Sequence, residues 1–485
     1  MRQLSGIDAN FLNMETPNQF GHVSSLCIYD PGDTPGAAGF EATKANIEAR
    51  LHLLPVFRRK LAEVPFGLDH PYWIDDDAFD IEFHVRNTAI PAPGDEAQLC
   101  ETVARLVAKP LDRSHPLWEL YVIEGLEGGR IAQLTKIHHA TIDGASGVEL
   151  LSTLLDVDPA GREIEPAPPW TPEPRPTDGD LLARTALSWA RRPRRAVRVG
   201  VRAVRGLAEA TRNPLLAAMV SDPVLSRLPG RGTHYNPDEV PVLPPRAAPR
   251  TSFNKSITAH RKLALCSVSL DEAKAVRKAF GTTLNDVVMA LCADSLRSYL
   301  SARDELPSEA LVGFVPVSLR SKDGSDGVGG NRVSGVTANL HTNIEDPVAR
   351  LQAISASMTA MKELHDALPA DVIQEISEFA PPAVMSRAIG LMARLKIADR
   401  TNPPFNVTIS NVPGPRIPLY NGGALMEHYY PVSTITDGGG MNITVQSYLD
   451  RLDFGVITCR ELVPEPWRVT DGIVEALATL VKAAA

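Results

Sequence analysis

The chain of 485 residues is 44% apolar and 22% charged, with a formal net charge of −9. That length exceeds what one core usually serves, so two domains are expected, and the acidic balance excludes a general nucleic-acid binder. Spanning and signal segments are excluded by the lack of a long uncharged apolar run, which points to a cytoplasmic protein, and five scattered cysteines without a CxxC pair exclude a disulfide framework and a cysteine zinc site.

In chain order, alternation predicts strands over His22 to Tyr29, Leu120 to Glu124 and Ile131 to His138, and helical spacing predicts a helix over Thr43 to Leu53. Seven prolines from Pro159 to Pro176 then mark a linker, since that density suits neither helix nor central strand. Behind it nine arginines lie between Arg184 and Arg212, with Glu209 the sole acid. At about 100° per residue, Val197, Val201, Val204 and Ala208 share one helix sector, and Arg194, Arg195, Arg198, Arg202, Arg205 and Arg212 the adjacent one. Such a helix suits an anionic lipid surface; a solvated connector and a funnel for phosphates are competing readings.

A second proline-rich loop over 221–250 leads into a block with predicted helices at Leu284 to Leu300 and Pro347 to Leu364. Its predicted strands run over Leu263 to Ser269, Leu311 to Pro316, Val333 to Leu340, Asn406 to Ser410, Met441 to Tyr448 and Leu452 to Cys459. Both halves mix helices and strands without a regular βαβ rhythm, so the expected fold class is α+β. The expected division is 1–158, a connecting segment over 159–250 that carries the basic helix, and 251–485.

KIHHATIDG (136–144) ends one predicted strand. Successive side chains of a strand point to opposite faces, so His138 and His139 are poorly placed to share a metal ion, and no third ligand is near in sequence. Two readings stay open. Both rings are satisfied locally and Asp143 caps the helix after Gly144, or one imidazole, neutral near pH 7 when its tautomer is fixed, accepts a proton in catalysis. Gly438 to Gly440 lacks the GxxxxGK[ST] pattern, which argues against nucleotide hydrolysis.

HHATIDG resembles the HHxxxDG motif of bacterial wax ester synthase/diacylglycerol acyltransferases, relatives of chloramphenicol acetyltransferase and of peptide-synthetase condensation domains. The resemblance extends through LSGIDANFLNMETPNQFGHV at the N-terminus, PLWEL (116–120), TLNDVVMA (283–290), VPVSLR (315–320), GGNRVS (329–334), FNVTISNVPGP (405–415) and GGGMNITVQSYLDRLDFGV (438–456). One departure is Gly21 before His22, where the family pattern leads one to expect Met.

The resemblance implies two chloramphenicol-acetyltransferase-like domains, with mixed sheets flanked by helices and an active-site tunnel at the domain interface. It implies transfer of a long-chain acyl group from acyl-CoA to diacylglycerol or a long-chain alcohol, with no metal and no bound cofactor. His139 would be the general base, His138 its neighbour at the catalytic centre, and Asn285 the oxyanion donor. Asp143 and Arg320 would form a structural ion pair, and Pro116, Leu117, Trp118 and Gly144 would line the tunnel. Peripheral contact with a membrane or lipid droplet would follow from the lipid substrates. The alternatives are a condensation-type enzyme with another hydroxyl or amine acceptor, and a lipid-surface binding protein without turnover.

Overall fold

The computed structural model describes residues 1–141, 147–190, 247–318, 333–366 and 382–485. Asp143, Gly144, Arg320 and the basic stretch 194–212 lie outside the described residues.

The first half carries β1 (Arg2–Gln3), α1 (Gly6–Asn13), β2 (His22–Asp30), α2 (Phe40–Arg50), β3 (Arg59–Ala62) and β4 (Tyr72–Asp75). It continues with β5 (Val85–Ala89), α3 (Glu96–Val107), β6 (Trp118–Glu124), β7 (Ile131–His138), α4 (Gly147–Leu154) and a helix α5 over 178–190. The second half has β8 (Arg261–Ser269), α6 (Leu270–Phe280), α7 (Leu284–Ser301), β9 (Val312–Ser318), β10 (Val333–Asn339), α8 (Pro347–Asp366) and α9 (Pro382–Arg394). It ends with β11 (Val407–Val412), β12 (Tyr420–Asn421), β13 (Ala424–Val432), β14 (Met441–Tyr448), β15 (Arg451–Cys459) and α10 (Trp467–Ala484).

Local chemistry accounts for several boundaries. Asp95 with Gln98, and Thr283 with Asp286, form reciprocal capping boxes that start α3 and α7. The helix expected over Thr43 to Leu53 instead occupies Phe40–Arg50 and tightens into a 3₁₀ turn at Leu51–Leu53. Pro55 is the reason: the residue before a proline is pushed out of the helical region, and Leu54 sits at φ −123°, ψ 67°.

Two six-stranded mixed sheets form the body, in the orders β12-β13-β2-β7-β6-β5 and β10-β9-β11-β14-β15-β8. β12 and β13 belong to the second half of the chain yet complete the sheet of the first, with Tyr429 opposite Cys27 and Val432 opposite Ser24. One buried cluster joins Leu26, Leu134 and Val103 of the first half to Leu265, Ile457 and Tyr430 of the second. The sheets approach so closely that a Cβ at Gly455 would lie 1.9 Å from the Pro431 carbonyl oxygen, a contact only glycine permits.

Candidate active site

β7 brings the histidine pair to the edge of a cavity between the sheets. Its end is pinned by backbone hydrogen bonds from His138 N–H to the Leu117 carbonyl (3.0 Å) and from His139 N–H to the Gly21 carbonyl (2.9 Å). The two rings then diverge, as alternation requires. His138 is buried, and its Nδ1 accepts the Ala140 N–H at 3.1 Å, so its proton resides on Nε2. That nitrogen lies 3.3 Å from Glu15 Oε1.

Glu15 is the hub of this side. It accepts the Gly21 N–H at 2.8 Å on Oε1, and Arg113 Nη2 and Nε at 2.7 and 3.2 Å on Oε2. Burial pushes its carboxyl up, but the adjoining His138 ring, the Gly21 N–H and the Arg113 guanidinium together hold it at about 2. A Cβ at position 21 would stand 2.4 Å from His138 Nε2 and 2.8 Å from the Phe11 carbonyl oxygen. The glycine where the family pattern suggests Met is therefore the residue that admits this packing. His22, paired with His138 across the sheet, is buried with Nε2 3.0 Å from the Val107 carbonyl oxygen, and burial drives its pKa down to about 3.

His139 faces the other way, into a cavity of about 310 Å³. Its ring stacks on Phe11 of α1 with centroids 4.3 Å apart and planes 9° from parallel. Burial lowers its pKa to about 4, so the imidazole is neutral near pH 7. The cavity walls are mostly apolar: Val23, Ile137, Leu120, Ile47, Leu150 and Leu154 come from the first half, with Val412 and Val432 from the second.

The other expected site residues fall elsewhere. Leu117 and Trp118 are buried in the core, the indole stacked between Phe57 and His84 with its N–H on the Phe57 carbonyl at 2.9 Å. None of Pro116, Leu117 and Trp118 lines the cavity; Leu120 is the member of that strand that does. Trp118 shares a buried cluster with the lining residues Ile47, Leu120 and Ile137, and the Leu117 carbonyl holds the histidine strand in register. Asn285 opens α7, where its Oδ1 accepts Asn411 Nδ2 at 3.3 Å. Asn411 stands between Ser410 and Val412, which line the cavity, so Asn285 sits behind β11 and is absent from the lining. The expected Asp143–Arg320 pair and Gly144 lie outside the described residues.

Reading the sequence missed Glu15, Arg113 and Phe11. Phe11, Glu15 and Gly21 all lie within the N-terminal stretch that carries the family resemblance, whose density of polar residues beside glycine was the available signal.

Comparison with known proteins agrees with this architecture. The wax ester synthase/diacylglycerol acyltransferase catalytic domain model matches residues 4–288, and the model of the C-terminal domain of that family matches 329–481. A Mycobacterium tuberculosis protein named as a probable diacylglycerol O-acyltransferase is 37% identical over 480 residues, covering 98% of both chains. A second from the same organism is 38% identical over 486 residues, covering 99% of both. Among solved structures, the wax ester synthase/diacylglycerol acyltransferase of Marinobacter aquaeolei superposes over 100% of both chains with TM-score 0.68 at 29% identity. The first condensation domain of the calcium-dependent antibiotic synthetase, at 15% identity and TM-score 0.53 over 99% and 97% of the two chains, shares the fold. With both halves matched and both sheets accounted for, the chain belongs to the wax ester synthase/diacylglycerol acyltransferase family, a family of O-acyltransferases.

Proposed function

We propose that this chain moves a long-chain acyl group from acyl-CoA to the hydroxyl of diacylglycerol or of a long-chain alcohol, with His139 as the general base. The observation that carries the reading is a neutral imidazole, stacked on Phe11, at the head of an apolar cavity built from both halves. The acceptor oxygen attacks the thioester carbonyl carbon as His139 takes its proton, help worth about 10² to 10⁴-fold. Collapse of the tetrahedral intermediate breaks the C–S bond, and the departing CoA thiolate recovers the proton from His139. Asn285 we propose as a positioning residue behind β11: its Oδ1 accepts Asn411 Nδ2 and so holds the strand that presents Ser410 and Val412 to the cavity. Asp143 and Arg320 are proposed as the ion pair that holds the turn after His139.

We further propose that 1–158 and 251–485 form the two acyltransferase domains, joined by 159–250. Peripheral contact with a lipid surface has support outside the basic stretch. Beside α1 and the turn Pro65–Gly67, α9 and the turn after it expose Leu391, Met392 and Leu395 at 50–56%, flanked by exposed Arg387, Arg394, Lys396 and Arg400; Phe66 of the neighbouring turn is 84% exposed. Among the described residues no helix is long and apolar enough to cross a membrane. Apolar side chains ringed by cations suit an interfacial helix on an anionic bilayer or droplet.

The test supplies one acyl-CoA with diacylglycerol, hexadecanol and a short alcohol together, and analyses the esters formed. Products with the lipid acceptors, lost in His139→Ala, support the reading. Absence of any ester and of any free CoA would overturn it.

A further inference from the structure

The cavity has a head at His139 and a floor. On the floor, Val23, Ser25 and Cys27 of β2 stand opposite Ile137, Thr135 and Gln133 of β7, forming a track that leads away from His139. Gln133 is six residues from His139, or about 20 Å along a strand. There the lining turns polar. Gln133 Nε2 donates to the Ala38 carbonyl at 2.9 Å and to Thr43 Oγ1 at 2.7 Å, and its Oε1 accepts Asn421 Nδ2 at 3.0 Å. Asn46 Nδ2 donates to Asn421 Oδ1 at 3.1 Å and to the Leu154 carbonyl at 2.8 Å. Thr43 Oγ1 donates to the Ala38 carbonyl at 3.1 Å. Thr43, Gln133 and Asn421 are buried, and the cluster ties α2, β7, β12 and the end of α4 together.

We propose that this track is a length gauge for the acyl chain of the donor and that the Thr43–Asn46–Gln133–Asn421 cluster is its stop, an assignment that rests on the acyltransferase reading above. An extended palmitoyl chain with its carbonyl at His139 reaches the cluster. Each methylene laid on the track gains by leaving water, up to about fourfold in affinity. A methylene beyond the stop gains no more than that, yet must separate buried amides from their hydrogen-bond partners, which costs more than it returns.

Position along the track gives the test. Thr135 is four residues from His139, about 13 Å, and Cys27 lies opposite Gln133 at the far end. Kd by calorimetry and kcat/KM by CoA release are measured for acyl-CoAs from octanoyl to eicosanoyl, on the full chain and on variants whose melting curves match it. Thr135→Phe should weaken palmitoyl-CoA by at least about tenfold and leave octanoyl-CoA unchanged. Cys27→Phe should weaken palmitoyl-CoA less than Thr135→Phe does and leave lauroyl-CoA unchanged, whereas Gln133→Ala with Asn421→Ala should move the optimum to longer donors. Equal losses at every length, or a change in acceptor preference alone, would overturn the gauge. A graded Kd series without any ester formation would uphold the gauge and sink the acyltransferase reading instead.

Discussion

Glu15→Gln is the sharpest probe of how the histidine strand is held. Glutamine keeps the shape of a protonated carboxyl and removes the charge that Arg113, Gly21 and His138 surround. Lowering the Glu15 carboxyl from 4.5 to about 2 corresponds to roughly 3 kcal/mol, at about 1.4 kcal/mol per pH unit. Because the folded value is depressed, that stability is fully present above pH 4.5 and is lost as pH falls through the folded value near 2. Urea unfolding should therefore place the variant about 2–3 kcal/mol below the parent at pH 7, with more than half of the gap closed by about pH 3. At pH 7 its kcat should fall while KM for acyl-CoA stays, since the carboxylate touches His138 and Gly21 and lines no part of the cavity. A variant as stable as the parent at pH 7, or a gap unchanged at pH 3, would refute the hub.

His139→Ala should abolish ester formation with little loss of stability. His138→Ala should cost about 1–3 kcal/mol by leaving the Ala140 N–H without its acceptor and removing one of the groups around Glu15, and only part of the activity; matched activity losses in two folded variants would contradict the division. With a soluble short alcohol, kcat/KM should stay flat from pH 8 to below 6 and fall only toward pH 4, because protonation of His139 is what stops the base. A rate that halves near pH 6.5 would show an unshifted imidazole at work. Asp143→Asn and Arg320→Met should each reduce stability and activity, and the double variant should lose less than the sum of the two; additive melts would mean the residues are not partners.

Much of the fold was legible because its signals are local. β7, β14 and β15 read as strands from their own residues, and α7 and α8 from helical spacing. β13 did not, since Pro431 and the Glu427–His428 pair argue against a strand. Proline is tolerated there because β12 pairs only with Ala424 and Leu425, leaving Pro431 on a stretch with a ladder to β2 on one side. Its partner strand lies some 400 residues earlier, and no local pattern encodes a pairing of that span. The site divides the same way. His139 was legible from the motif, whereas Glu15, Arg113 and Asn421 act through contacts between distant segments.

The return of β12 and β13 to the first sheet also sets the two walls of the cavity. Tyr429, Pro431 and Val432 stand on the same sheet as the histidine strand, while Ser410, Val412, Thr444 and Gln446 face them from the second sheet. A shift of one sheet against the other would change the width of the track, yet the histidine strand would keep its register, because Gly21, Leu117 and Glu15 all belong to the first half. Reactive geometry and chain fit are thus held by different contacts. Variants along the track should alter which chains are used without moving the pH dependence of His139, whereas variants around Glu15 should lower turnover for every chain alike.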